Sequence, residues 1–145
     1  MVISNSSALL NDLLIALHRS LVQFATEVSP WASDADAALI AEVSDLAARQ
    51  QEDVGRLVTL LNNREEAINF GYYPHAFTSL HFVAVSFLSR RLLAEQRGLV
   101  QKLETATDEL VDDLEAQQVV RGIAASQREG LVRLLSVIPQ QAGSN

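Results

Sequence analysis

The sequence predicts an all-α protein, a single domain of four long amphipathic helices packed as a bundle. Three observations carry that expectation. Four stretches of the 145-residue chain repeat apolar side chains at steps of three and four. No stretch competes as a strand, because the apolar run Phe82-Val83-Ala84-Val85 is short and embedded in helical periodicity. Composition agrees: 48% hydrophobic and 20% charged residues, with 6 Gly and 3 Pro, belong to a packed chain rather than a disordered one. A domain of this size can bury a sizeable core without covalent staples.

The first helix is expected at about residues 7–28. Leu10, Leu14, Leu17, Leu21, Phe24 and Val28 form one seam, Ser6 or Ser7 can cap its start, and Pro30 stops it. The turn Ser29-Pro30-Trp31-Ala32-Ser33 is short, so the second helix should return antiparallel. That helix, at about 34–63, opens at a Ser33 or Asp34 cap. Its seam is Leu39, Val43, Leu46, Gln50, Asp53, Leu57 and Leu60 or Leu61.

Residues Arg64 to Pro74 read as a connection. The third helix is expected at about 75–107, with His81, Val85, Leu88, Leu92, Glu95, Leu99 and Leu103 or Lys102 on one face. The fourth, at about 113–138, is capped by Asp112 or Asp113. Its seam is Val120, Ile123/Ala124, Gln127, Gly130/Leu131, Leu134 and Ile138, and the tail after Pro139 should be frayed. Gly98, Gly122 and Gly130 are isolated within helical patterns, where each costs about 1 kcal/mol against Ala. Close helix approach is their expected use.

Connection lengths choose among topologies. Helices of this length run roughly 40–45 Å. An extended link of 11 residues reaches up to roughly 40 Å. The Arg64–Pro74 link can therefore travel the length of the bundle and leave the second and third helices parallel.

Two seams are interrupted by polar residues, at Gln50-Gln51-Glu52-Asp53 and at Gln127-Arg128-Glu129-Gly130. Side chains three apart on a helix project from one face toward one point. Bundles that hold two metal ions use this spacing as Glu-x-x-His on two helices, with a Glu from each of the others. The chain resembles the ferritin-like superfamily over roughly Leu9 to Ile138. In that resemblance Gln50 stands at a ligand Glu, Asp53 at its His, Gln127 at the second Glu and Gly130 at the second His. Glu95 in Leu92-Leu93-Ala94-Glu95 matches the third-helix Glu. Leu17 and Leu21 occupy the inward seam of the first helix, which shows no obvious counterpart.

The resemblance thus implies a vestigial di-metal site. Gln is a weak neutral ligand and Gly130 offers no side chain, so no cofactor is expected. The alternative is an iron- or manganese-binding oxidoreductase or store that relies on Asp53 and Glu95. Otherwise Gln50, Asp53, Glu95 and Gln127 should hydrogen-bond one another.

Other chemistry is sparse. His18, His75 and His81 share no helical face and read as structural histidines. No Gly-x-Ser-x-Gly elbow, Gly-rich phosphate loop or cysteine occurs, and Lys102 is the only lysine. A net charge of −7, a pI near 4.8 and only 11 Lys and Arg disfavour nucleic acid and anionic membranes as partners. No apolar run approaches a membrane span, and no basic n-region marks a signal peptide, so a cytoplasmic protein is the default expectation. Phe70, Tyr72, Tyr73, Phe77, Phe82 and Phe87 cluster around the link; they either pack it down or form a partner surface. The expected function is a non-catalytic ferritin-like bundle acting through self-association or a protein partner.

Overall fold

The structure is a computed structural model and describes residues 3–28, 34–80 and 85–138. Its helices are α1 (Ile3–His18), α2 (Leu21–Val28), α3 (Ala37–Asn63), α4 (Val85–Glu109) and α5 (Leu114–Val137). Short 3-10 turns occupy Asp34–Asp36 and His75–Leu80. No strand occurs among the described residues. The chain is an all-α four-helix bundle, with α1 and α2 together forming one limb. The turn at Ser29–Ser33, His81, Phe82 and the segment from Pro139 onward lie outside the described residues.

The first limb differs from the continuous helix expected at 7–28. It begins earlier, so Ser6 and Ser7 lie inside α1 rather than capping it, and it breaks at Arg19–Ser20. The cause is local. Ser20 Oγ accepts the backbone N–H of Gln23 at 3.2 Å, which is an N-cap three residues ahead of its donor. The third helix also starts later than 75, with His75–Leu80 wound as a 3-10 turn.

Cross-helix contacts give the directions. Glu42 meets Arg133, Gln50 meets Gln127 and Arg64 meets Asp113, so α3 and α5 are antiparallel. Gln96 meets Gln127 and Thr107 meets Gln117, so α4 and α5 are antiparallel too. It follows that α3 and α4 run the same way. The link lies along the first limb in chain order. Asn69 exchanges hydrogen bonds with Asn11 at 2.9 and 3.0 Å, Arg19 Nε donates to the Phe70 and Gly71 carbonyls, and Tyr73 donates to Glu27 at 2.5 Å.

Turn chemistry fixes the ends of that link. Arg64 closes α3, Glu65 takes φ 58°, and the N–H groups of Glu65 and Glu66 bond back to Asn62 and Leu61. This is a Schellman ending with a non-glycine residue in the left-handed position. Gly71 has φ +70°, and a Cβ there would lie 2.7 Å from Ile15. The close approach of the link to α1 therefore needs glycine.

The core is in two apolar parts. One gathers Leu10, Leu14, Leu17, Leu57, Leu61, Leu103 and Ile123 from α1 and from the distal ends of the other helices. The other gathers Leu21, Phe24, Leu39, Leu46, Leu88, Leu92 and Leu134 around α2. Between them, every limb contributes a buried polar residue.

Candidate functional site

The polar layer is built from four glutamines, one per limb: Gln23 of α2, Gln50 of α3, Gln96 of α4 and Gln127 of α5. Gln50 and Gln127 are wholly buried, Gln96 and Gln23 are 2% and 7% exposed, and Asp53 is 1% exposed. Helical spacing places Asp53 one turn from Gln50 on the same face.

The hydrogen bonds have a single sense. Gln51 Nε2 donates to Gln23 Oε1 at 2.9 Å, and Gln23 Nε2 donates to Gln50 Oε1 at 3.1 Å. Gln50 Nε2 donates to Gln96 Oε1 at 3.2 Å and Gln127 Oε1 at 3.3 Å. Gln96 Nε2 also donates to Gln127 Oε1 at 3.0 Å. Gln127 Nε2 then donates to Asp53 Oδ2 at 2.8 Å. The donations thus run from one amide to the next and end at the Asp53 carboxylate, an acceptor when ionised, which Gln127 alone of these amides reaches. Ser20 Oγ donates to Gln50 Oε1 at 2.8 Å, and the Ala47 carbonyl accepts from Gln23 at 2.8 Å.

Burial pushes the Asp53 carboxyl above the usual carboxylate range, opposed by hydrogen bonds from Gln127 and Ser126 and by the Arg56 and Arg49 charges. Arg56 lies 3.8 Å from Asp53 and is itself largely exposed. Among the described residues, the buried side-chain polar atom without a partner is Ser7 Oγ, on α1 outside this layer.

The structure brings together Gln50, Asp53 and Gln127, keeps Gly130 buried on α5 in close approach to α3, and corrects one predicted position, Glu95. Glu95 is exposed, and its neighbour Gln96 faces the layer instead. The inward path on α4 runs Leu88, Leu92, Gln96, Leu99, Leu103, so the step after Leu92 is four rather than three. An amide also enters an apolar interior at far lower cost than a carboxylate. Gly130 is buried, but a Cβ there would fall inside van der Waals contact of Leu46 Cδ1. Leu46 thus fills the space that a larger residue at 130 would need. Gly98 and Gly122 do not serve close packing: a Cβ on Gly98 would meet nothing within 4 Å, and one on Gly122 only the end of Arg56 at 3.5 Å.

Gln23 was absent from the expected set. Its signal is the Ser20-Leu21-Val22-Gln23 spacing, that of a capping box whose glutamine is free to turn inward. Gln51 and His18 extend the chain to the surface, where Gln51 Nε2 lies 3.4 Å from His18 Nδ1.

The donor set does not fit a di-iron or di-manganese centre. Four neutral amides already bonded to one another share the layer with one carboxylate, where such metals take several carboxylates and imidazoles. No group of three or more His, Cys, Asp or Glu residues is placed to share a metal among the described residues.

The aromatic cluster divides. Tyr73 and Phe77 pack on Phe24 with ring centroids 5.3 and 5.5 Å away, and Phe70 stands edge-on to His18 at 5.4 Å. Arg19 lies 5.0 Å over the Tyr73 ring, while Tyr72 is 89% exposed. Burial and the Glu27 carboxylate push the Tyr73 hydroxyl up to about 12. No helix among the described residues is long and apolar enough to cross a membrane. Compared with protein-family models, curated proteins and solved structures, the chain matches none.

Proposed function

We propose that the chain is a ferritin-like bundle that has exchanged a metal centre for a glutamine layer and works without catalysis, through self-association or a protein partner. The observation that carries this reading is the layer itself. One glutamine from each limb meets at mid-bundle, and the amides spend their hydrogen bonds on one another. The long link along the first limb and the parallel course of α3 and α4 support the ferritin-like comparison. Gln50-x-x-Asp53 and Gln127-x-x-Gly130 keep the spacing of the ligand pairs.

Apolar side chains left exposed support association: Val111 and Leu114 flank the α4–α5 turn, and Tyr72 stands out from the link. The alternative, an iron- or manganese-dependent oxidoreductase or store, needs a second carboxylate beside Asp53. The exposed Glu95 does not serve.

Elemental analysis and oxygen uptake of untagged protein, combined with its solution mass, test the proposal. It expects no stoichiometric iron or manganese, no metal-dependent oxygen consumption, and a mass above one chain or capture of a defined partner. About two metal ions per chain with oxygen uptake would replace it with the oxidoreductase reading.

A further inference from the structure

A cavity of about 410 Å³ opens where the first limb breaks, between that limb, the end of the link and α4. Its size lies within the range of small-molecule sites. The reason it stays open is on the page. The small residues Ala16, Ala94 and Gly98 line it, and a Cβ on Gly98 would touch nothing within 4 Å. Leu21, Leu99 and Phe77 supply apolar wall.

Its polar floor is already committed. Ser20 donates to Gln50 and caps Gln23, and both amide hydrogens of Gln96 go to Gln127. Recognition therefore falls on the charged lining, which holds Arg19, Lys102 and Glu95. In a chain of net charge −7, the lining of this cavity carries two cations and one anion. One of those cations is the sole lysine. The other is held in place, because Arg19 Nε is fixed on the Phe70 and Gly71 carbonyls with its guanidinium over Tyr73. A held guanidinium costs little further ordering when an anion arrives.

We infer that this cavity binds a small organic anion, a carboxylate with an apolar body, using Lys102 and Arg19 for the head and the leucine and phenylalanine wall for the body. The inference is independent of metal content and of assembly.

Titration of the full chain with octanoate, octanol and octylammonium, read by calorimetry and ligand-observed NMR, tests it. Saturable one-to-one binding of octanoate is expected, with octanol at least about fivefold weaker and octylammonium weaker still. Lys102→Glu, at an exposed position, should weaken octanoate by at least about fivefold. Gly98→Leu should abolish binding by filling the space. If that variant loses its helical circular dichroism, Lys102→Glu decides alone. Absence of saturation by octanoate, equal affinity for octanol, or undiminished binding to Lys102→Glu would overturn the inference.

Discussion

At the scale of single residues, Asp53 is the one charge in an otherwise neutral layer, and its protonation state is tied to stability. Its folded pKa is raised, chiefly by burial, so the folded chain holds that proton more tightly than the unfolded chain does. The contribution of Asp53 therefore becomes more favourable as pH falls from neutral toward about 4, and less favourable as pH rises. Asp53→Asn keeps an acceptor for Gln127 and removes the buried charge. Its melting temperature should exceed the wild type's at pH 7, and the gap should narrow as pH approaches 4. A gap that widens on acidification would reverse the sign of this argument. Asp113 behaves oppositely: bidentate bonding to Arg64 at 2.7 and 2.9 Å holds its carboxyl down at about 2. That contribution is complete above about 4 and is lost as pH falls toward 2. Asp113 also accepts the Ala116 N–H at 3.2 Å as the cap of α5. Asp113→Ala should cost about 2 kcal/mol or more in urea unfolding at pH 7. Of this scale the sequence disclosed Gln50, Asp53 and Gln127, because strict seam spacing reads directly as an inward face, and it narrowed the cap of α5 to Asp112 or Asp113, of which the structure uses Asp113. Glu95 in place of Gln96 was a one-residue phase error. The ideal period of 3.6 permits a step of three or four, and only packing against α5 selects between them.

At the scale of elements, the link depends on two backbone positions with positive φ, and they should respond in opposite directions. Glu65→Gly relieves a left-handed non-glycine residue and should stabilise by about 0.5–1 kcal/mol. Gly71→Ala adds both strain and a clash with Ile15, and should destabilise by about 1–3 kcal/mol. Equilibrium denaturation of the two variants separates these cases; equal effects would mean that neither turn geometry limits stability. The extent of the link was legible from Asn62-Asn63 and Pro74, since such residues end helices. The break in the first limb was not, because the leucine seam runs unbroken in sequence across Arg19-Ser20. A serine cap competes with continued helix only when its neighbours find partners elsewhere, and here those partners are Gln50 and the Ala47 carbonyl on α3.

At the scale of the whole molecule, the four-helix count follows from patterning, but the meeting of four glutamines does not. Each is an ordinary polar residue on its own helix, and their convergence is a property of the bundle's alignment. The layer divides the apolar interior, and the break at Arg19–Ser20 sits at that same level. The cooperativity of the fold is consequently uneven. With only eight residues, α2 is too short to persist alone, yet it carries Gln23 and the Ser20 cap over the amide layer. A brief detachment of α2 would let water reach Gln50 while α1, α3, α4 and α5 stay assembled. Native-state hydrogen exchange should register this as sub-global opening. The amides of Phe24 and Ala25 should exchange at least about tenfold faster than those of Leu14 and Leu57, with a denaturant dependence smaller than that of global unfolding. Exchange of all four amides at one common, denaturant-sensitive rate would instead make the first limb a single cooperative unit despite its break.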